Sequence, residues 1–243
     1  MMIACLITGS ARRVGRAIAE HLASRGARHL LLHYRQSERD AKQLALMLRR
    51  RGVRRVSLLK ADLGRMDEVE ALGREALRLE PRLNGAVFSA GVYDRTPFGR
   101  VTSDQWDRQF NVNLKSTFFL AQRLGLAMKK NGEGRLVLIA DWSGLRPYAG
   151  HIPYCLSKSG VLYLTHALAK ALGPRVQVNA VLPGPVLLPP GTPAAQTQAI
   201  RRATILKRLG TPEAVAKAVG FLLREADFST GAWLSVDGGR LIV

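Results

Sequence analysis

Short apolar runs alternate with amphipathic stretches along the whole chain. Runs at 2–7, 28–33, 55–60, 84–89, 134–140, 175–181 and 232–236 predict strands. Most are bounded by Gly, Pro or charged residues, the form taken by buried parallel strands. Between them, helical periodicity predicts helices over 13–25, 38–51, 66–79, 103–130, 152–172 and 212–224. In the second, Leu44, Leu46, Met47 and Leu48 make an apolar stripe among Arg, Lys and Glu. Asp67 and Glu68 put negative charge into the first turn of the third, where the helix dipole favours it. Gly173 and Pro174 stop the fifth. Strand–helix alternation of this length predicts one α/β domain over 1–243: a doubly wound, seven-stranded parallel sheet with helices on both faces and right-handed crossovers. Five prolines in 183–193 predict a semi-rigid loop after a strand end. The segment 183–205 is therefore expected to overhang the crevice where open α/β sheets bind ligands, as a substrate-side flap.

Composition narrows the class. With 243 residues, 47% hydrophobic and 23% charged, the chain can bury a sizeable core and is unlike a disordered one. No apolar run approaches the roughly 18 residues of a membrane span. The apolar start lacks a basic front end and runs directly into Thr8-Gly9, so it reads as a strand rather than a signal peptide. Cys5 and Cys155 make no disulfide framework, and the five histidines show no metal-ligand spacing. A cytoplasmic, metal-free protein is expected. The net charge of +19 is unusual, and arginine supplies 28 of the 37 basic residues. These charges are dispersed, with the densest run at Arg49–Arg51, Arg54 and Arg55. No zinc-finger, RRM or KH signature accompanies them, and 6% aromatics give no obvious base-stacking platform. Nucleic acid is not the expected partner; a basic surface also suits anionic cofactors and substrates.

Three local patterns carry chemistry. Thr8-Gly9-Ser10-Ala11-Arg12-Arg13-Val14-Gly15 joins the first strand to a helix. Such a turn places backbone N–H groups and a positive helix end against phosphates. The end of the second strand, His33-Tyr34-Arg35-Gln36-Ser37, offers no acid to hold a ribose 2′-hydroxyl. It offers Arg35 and Ser37, with Arg13 nearby, and guanidinium groups bind phosphate in a charge-assisted fork. NADPH is thus expected in preference to NADH. Tyr154 and Lys158 stand at i, i+4 on one helix face, where an ammonium favours the phenolate and makes the pair a proton donor.

These residues, taken in order, resemble the short-chain dehydrogenase/reductase family. The resemblance runs through Thr8-Gly9, Ala61-Asp62-Leu63, Ser89-Ala90-Gly91, Asn111-Val112-Asn113-Leu114, Tyr154/Lys158, Pro183-Gly184 and Val236-Asp237-Gly238-Gly239. It implies a Rossmann-type NADP(H)-binding domain and a homotetramer. It implies that Tyr154 is the catalytic acid, that Lys158 lowers its pKa and holds the nicotinamide ribose, and that Asn113 positions a proton-relay water. Asp62 and Leu63 would lie against the adenine. Further cofactor contacts are implied at Gly9, Arg12, Arg13, Val14, Tyr34, Arg35, Ser37, Ser89, Ala90, Gly91, Pro183, Gly184 and Val186.

Three departures from the family pattern are informative. Arg13 replaces the middle glycine of TGxxxGxG, Ser89 replaces an asparagine, and Asp141 stands where a serine usually polarises the substrate carbonyl. Ser143, two residues on, is the nearest substitute. Arg13 with Asp141 resembles the pteridine reductase branch, which also carries an aromatic at the position of Tyr93. Ser89 departs from that branch as well. The resemblance implies substrate contacts from Arg13, Tyr93, Asp141 and Tyr154. A pterin presents ring nitrogens that need protons, so a carboxyl of raised pKa is useful there. A 3-oxoacyl-carrier-protein reductase or other carbonyl reductase is the alternative enzyme. A non-catalytic NADP-binding regulator or RNA-binding protein is the alternative outside enzymes; the set Asn113, Tyr154 and Lys158 argues against it.

Overall fold

The computed structural model describes residues 3–189 and 191–243. Met2, where the first strand was expected to begin, and Pro190, within the expected loop, lie outside the described residues. Seven parallel strands form one sheet in the order β3-β2-β1-β4-β5-β6-β7. They are β1 (Ala4–Thr8), β2 (His29–Tyr34), β3 (Arg55–Lys60), β4 (Gly85–Phe88), β5 (Gly134–Ile139), β6 (Val176–Pro183) and β7 (Trp233–Val236). Every residue of β1, β2 and β4 is buried. That explains their near-continuous apolar sequences, since helices cover both faces.

Successive side chains point to opposite faces and feed two cores. Ala4 and Leu6 meet Leu31, Leu136 and Leu138 on one face. There they pack under α3 (Met66–Leu79), α5 (Ser116–Asn131) and α6 (Ile152–Leu172). Cys5 and Ile7 point the other way, toward α1 (Arg13–Ser24), α2 (Glu38–Arg50) and α8 (Pro212–Arg224). Register is fixed by these burials; Leu6 sits opposite Leu31 of β2 and Ala86 of β4. Because β1 leads to β2 on one side and borders β4 on the other, the chain reverses direction there and opens a crevice at the C-terminal strand ends.

Two expectations need correction. The helix expected over 103–130 is split into α4 (Ser103–Phe110), a π-helical turn (Asn111–Lys115) and α5. Thr102 caps α4 in a reciprocal box with Gln105. The flap expected over 183–205 contains a helix, α7 (Ala194–Arg202), none of whose residues is buried.

Candidate active site

The glycine turn is built by close approach. Gly9 has φ +64, and a Cβ on Gly15 would overlap the Gly9 carbonyl oxygen. Arg13, at the usual glycine position, also holds a left-handed backbone with φ +53. Its guanidinium donates to the Leu187 carbonyl at 2.9 Å and so ties the turn to the flap. No side chain caps the N-terminus of α1, and no acid stands in its first turn. Those uncapped N–H groups and the closely packed glycines are the fit a dinucleotide pyrophosphate requires.

The end of β2 lies beside this turn. Buried His33 accepts the Gly9 N–H at Nδ1 (3.0 Å), and its Nε2–H donates to the Ala61 carbonyl (3.0 Å). Burial pushes its pKa down to about 4, which keeps the neutral tautomer those two bonds need. Arg35 is exposed, 3.7 Å from the Asp62 carboxylate, and Asp62 also accepts the Gly64 N–H. Arg12 is an exposed surface residue paired with Asp40 at 2.6 Å. Ser37 begins α2 without capping it. Tyr34 is buried against Ala11 and Ala41 beneath the turn. Leu63 and Val186 are buried in the two cores, and Val14 packs at the edge of the second. Beyond β4, the Ala90 N–H donates to the Thr8 hydroxyl, which joins the ends of β1 and β4. At the far side, the Gly184 N–H, just past Pro183, donates to Val236 of β7.

The polar centre lies past β4 and β5. Asp141 follows β5; one carboxyl oxygen accepts the Ser143 N–H at 2.8 Å and the other accepts the Tyr154 hydroxyl at 2.9 Å. Tyr154 and Lys158 stand one turn apart on α6 and are both buried. The Lys158 ammonium donates to the Ile139 carbonyl at 2.8 Å and sits 5.8 Å from the Tyr154 ring centre. Asn113 lies in the π-helical turn. It pairs with the Val92 backbone through both ends of its carboxamide and also donates to Gln109 and Ser157. A Cβ on Gly91 would come within 3.2 Å of Asn113 Oδ1 and 3.7 Å of Lys158 Nζ, so Ser89-Ala90-Gly91 borders this centre directly.

Electrostatics there differ from the expectation for the tyrosine. Burial and the adjoining Asp141 carboxylate push Tyr154 well above its ordinary value, so the group is a phenol, not a phenolate. The expected lowering by Lys158 is overridden because the phenol proton is held by a carboxylate. Burial raises Asp141 against the opposing hydrogen bond from the Ser143 N–H and the Lys158 charge. Burial lowers Lys158 to about 8, with Asp141 opposing.

Tyr93 presents an edge to Tyr154, with ring centres 4.7 Å apart and an interplanar angle of 82°. One of its faces is stacked on His151 at 4.3 Å and 5°. The segment bearing Tyr93 is anchored where Thr96 bridges to His151. The Ser143 hydroxyl is buried and has no hydrogen-bond partner. His33, His151, Gln109 and Ser157 escaped sequence reasoning as site residues. Only His33 carried a signal, as a polar residue inside an otherwise apolar buried strand. No group of His, Cys, Asp and Glu among the described residues is arranged for a metal. Among the described residues, no helix is long and apolar enough to cross a membrane.

A family model described as enoyl-(acyl carrier protein) reductase matches residues 9–240. The chain is 29% identical to an NAD-dependent glycerol dehydrogenase of Listeria innocua, covering 98% of this chain and 93% of that protein. It is 30% identical to a 3-oxoacyl-[acyl-carrier-protein] reductase of Synechocystis, covering 98% and 96%. Among solved structures, alternative dihydrofolate reductase 1 (FolM) of Brucella suis in complex with NADP matches with a TM-score of 0.92. It is 29% identical and covers 99% of this chain and 96% of that one.

Proposed function

Because this chain belongs to the short-chain dehydrogenase/reductase family, we propose that it is an NADPH-dependent reductase of a dihydropterin, with dihydrofolate as a further substrate. The observation that carries the reading is the 2.9 Å hydrogen bond from the Tyr154 hydroxyl to the Asp141 carboxyl, beside buried Lys158. NADPH, when bound, supplies the hydride to a carbon of a ring C=N bond. The protein's own groups supply the proton to the nitrogen. Tyr154, kept protonated by burial and by Asp141, holds the proton to be delivered. Asp141, raised by burial, can hold and relay that proton. Lys158 faces the same centre and would hold ribose hydroxyls. The glycine turn and the α1 terminus would hold the pyrophosphate, with Arg35 and Ser37 toward the 2′-phosphate; the Arg13 guanidinium, expected there too, is turned to the flap at Leu187 instead. The relation to the NADP-bound Brucella FolM supports both the cofactor and the substrate class. A homotetramer is part of the proposal.

The unpartnered Ser143 hydroxyl favours a second reading, in which it polarises the carbonyl of an acyl thioester. One assay separates the two: NADPH oxidation with 7,8-dihydrobiopterin, dihydrofolate and an acetoacetyl thioester. The proposal expects turnover with the pterin and little with the thioester; the reverse order overturns it. Arg35→Ala should raise the KM for NADPH with much less effect on NADH. Equal effects on both cofactors would remove the 2′-phosphate assignment.

A further inference from the structure

The end of the sheet opposite the crevice holds a cavity of about 260 Å³. It opens where β1, β4, β5 and β6 begin and where α8 ends. Arg135 of β5, Arg175 just before β6 and Arg224 at the end of α8 line it, together with Asn84, Glu133 and Asp227. None of the three arginines takes part in an ion pair among the described residues, although two carboxylates share the cavity. One terminal guanidinium nitrogen of Arg135 and one of Arg224 are enclosed by protein with no acceptor. A buried donor without a partner carries its full desolvation penalty, and a charged one more. Native structures leave few such groups without a ligand, an ion or a water.

We propose that this cavity binds a small, hydroxyl-bearing phosphate monoester. Three arginines that form no ion pair among the described residues line one space, and the planar fork of arginine matches phosphate oxygens. Glu133 and Asp227 would repel a second anionic group but accept hydrogen bonds from hydroxyls. The ligand is therefore one phosphate on a polyol body. The volume falls just below the roughly 300–1,000 Å³ of sites for drug-sized ligands, which excludes a dinucleotide. Arg135 and Asp141 lie at opposite ends of the same strand, about 20 Å apart at a strand rise of ~3.3 Å per residue. The site is thus separate from the crevice and independent of the reductase reading.

The test is calorimetric titration of the full chain, with and without saturating NADPH, using ribose 5-phosphate, inorganic phosphate, ribose and citrate as probes. The expected result is saturable one-to-one binding of ribose 5-phosphate that survives NADPH, weaker binding of inorganic phosphate, and none of ribose. Arg135→Gln and Arg224→Gln should each weaken it roughly tenfold or more, as loss of a charged hydrogen bond does. Arg35→Ala, at the other end of the sheet, should leave it unchanged. Arg175→Gln, at an exposed position, should also weaken binding and serves if the two partly buried substitutions fail to fold. Three outcomes overturn the proposal. Absence of saturable binding at millimolar probe would mean that water satisfies the guanidinium groups. Equal binding of the ester, inorganic phosphate and citrate would mean an unspecific anion patch. Loss of binding on NADPH saturation would place the ester in the crevice.

Discussion

At the scale of single residues, the proton-handling pair is held at the expense of stability. Burial raises Asp141 above the ordinary carboxyl range. Between its unfolded value and that raised value, the native protein keeps a proton that the unfolded chain has lost. Stability therefore falls as pH rises through that window. Asp141→Asn removes the penalty and retains a hydrogen-bonding partner for both the Ser143 N–H and the Tyr154 hydroxyl. It should raise the melting temperature at pH 8, with the gain shrinking as pH falls toward 4, while abolishing pterin reduction. Thermal melts across pH read this; a lower melting temperature or a pH-independent gain would show that the carboxylate is not strained by burial. Tyr154→Phe separates proton transfer from cofactor binding. Turnover should drop ~10²–10⁴-fold, the usual contribution of general acid catalysis, while the Kd for NADPH stays near that of the parent. Activity within a few-fold of the parent would place the proton on another group.

At the scale of elements, the site depends on how strand ends are pinned together. The strands were legible because a sheet covered on both faces demands continuous apolar runs, and the crevice followed from their alternation with helices. The π-helical turn at Asn111–Lys115 was not legible. Nothing in 103–130 breaks a helix locally; the register change coincides with Asn113 bonding Val92 and Ser157, partners far away in sequence. Helix α7 was hidden because it buries no face and so has no apolar period to read. Tyr154 and Lys158 were legible as helical spacing and Asp141 through the family resemblance, but the direction of the Tyr154 shift was not, because neither says anything of burial. His33 joins the ends of β1, β2 and β3 through two hydrogen bonds, one buried and one part-buried. His33→Phe would leave the Gly9 N–H and the Ala61 carbonyl unpaired, at about 1–3 kcal/mol each. It should lower the melting temperature and raise the Kd for NADPH together. Since the folded value is lowered to about 4, the parent should lose stability as pH falls from the ordinary histidine range toward 4. The variant should lack that loss; an unchanged acid limb would mean that His33 pins nothing.

At the scale of the whole molecule, two of the exposed apolar patches among the described residues bear on assembly. One is the sheet edge at β7, with Trp233 40% and Leu234 37% exposed and His166 stacked on Trp233 at 5.0 Å. An open edge strand also presents unpaired backbone groups, which natural proteins cover or blunt. The other is the outer face of α5, with Phe118, Phe119 and Leu126 exposed. The two lie on different elements, so each can meet a copy of itself about a separate two-fold axis, and two such axes generate a tetramer. Trp233→Arg should then leave dimers joined through α5, and Phe119→Glu dimers joined through β7. The double variant should be monomeric; sedimentation velocity reads all three. The consequences for activity should differ. Helix α5 continues directly from the turn that holds Asn113 and packs against α6, which carries Tyr154 and Lys158. Opening the α5 surface should cost turnover, whereas opening β7 should leave more of it. A double variant that still sediments as a tetramer would show that these faces are covered in some other way.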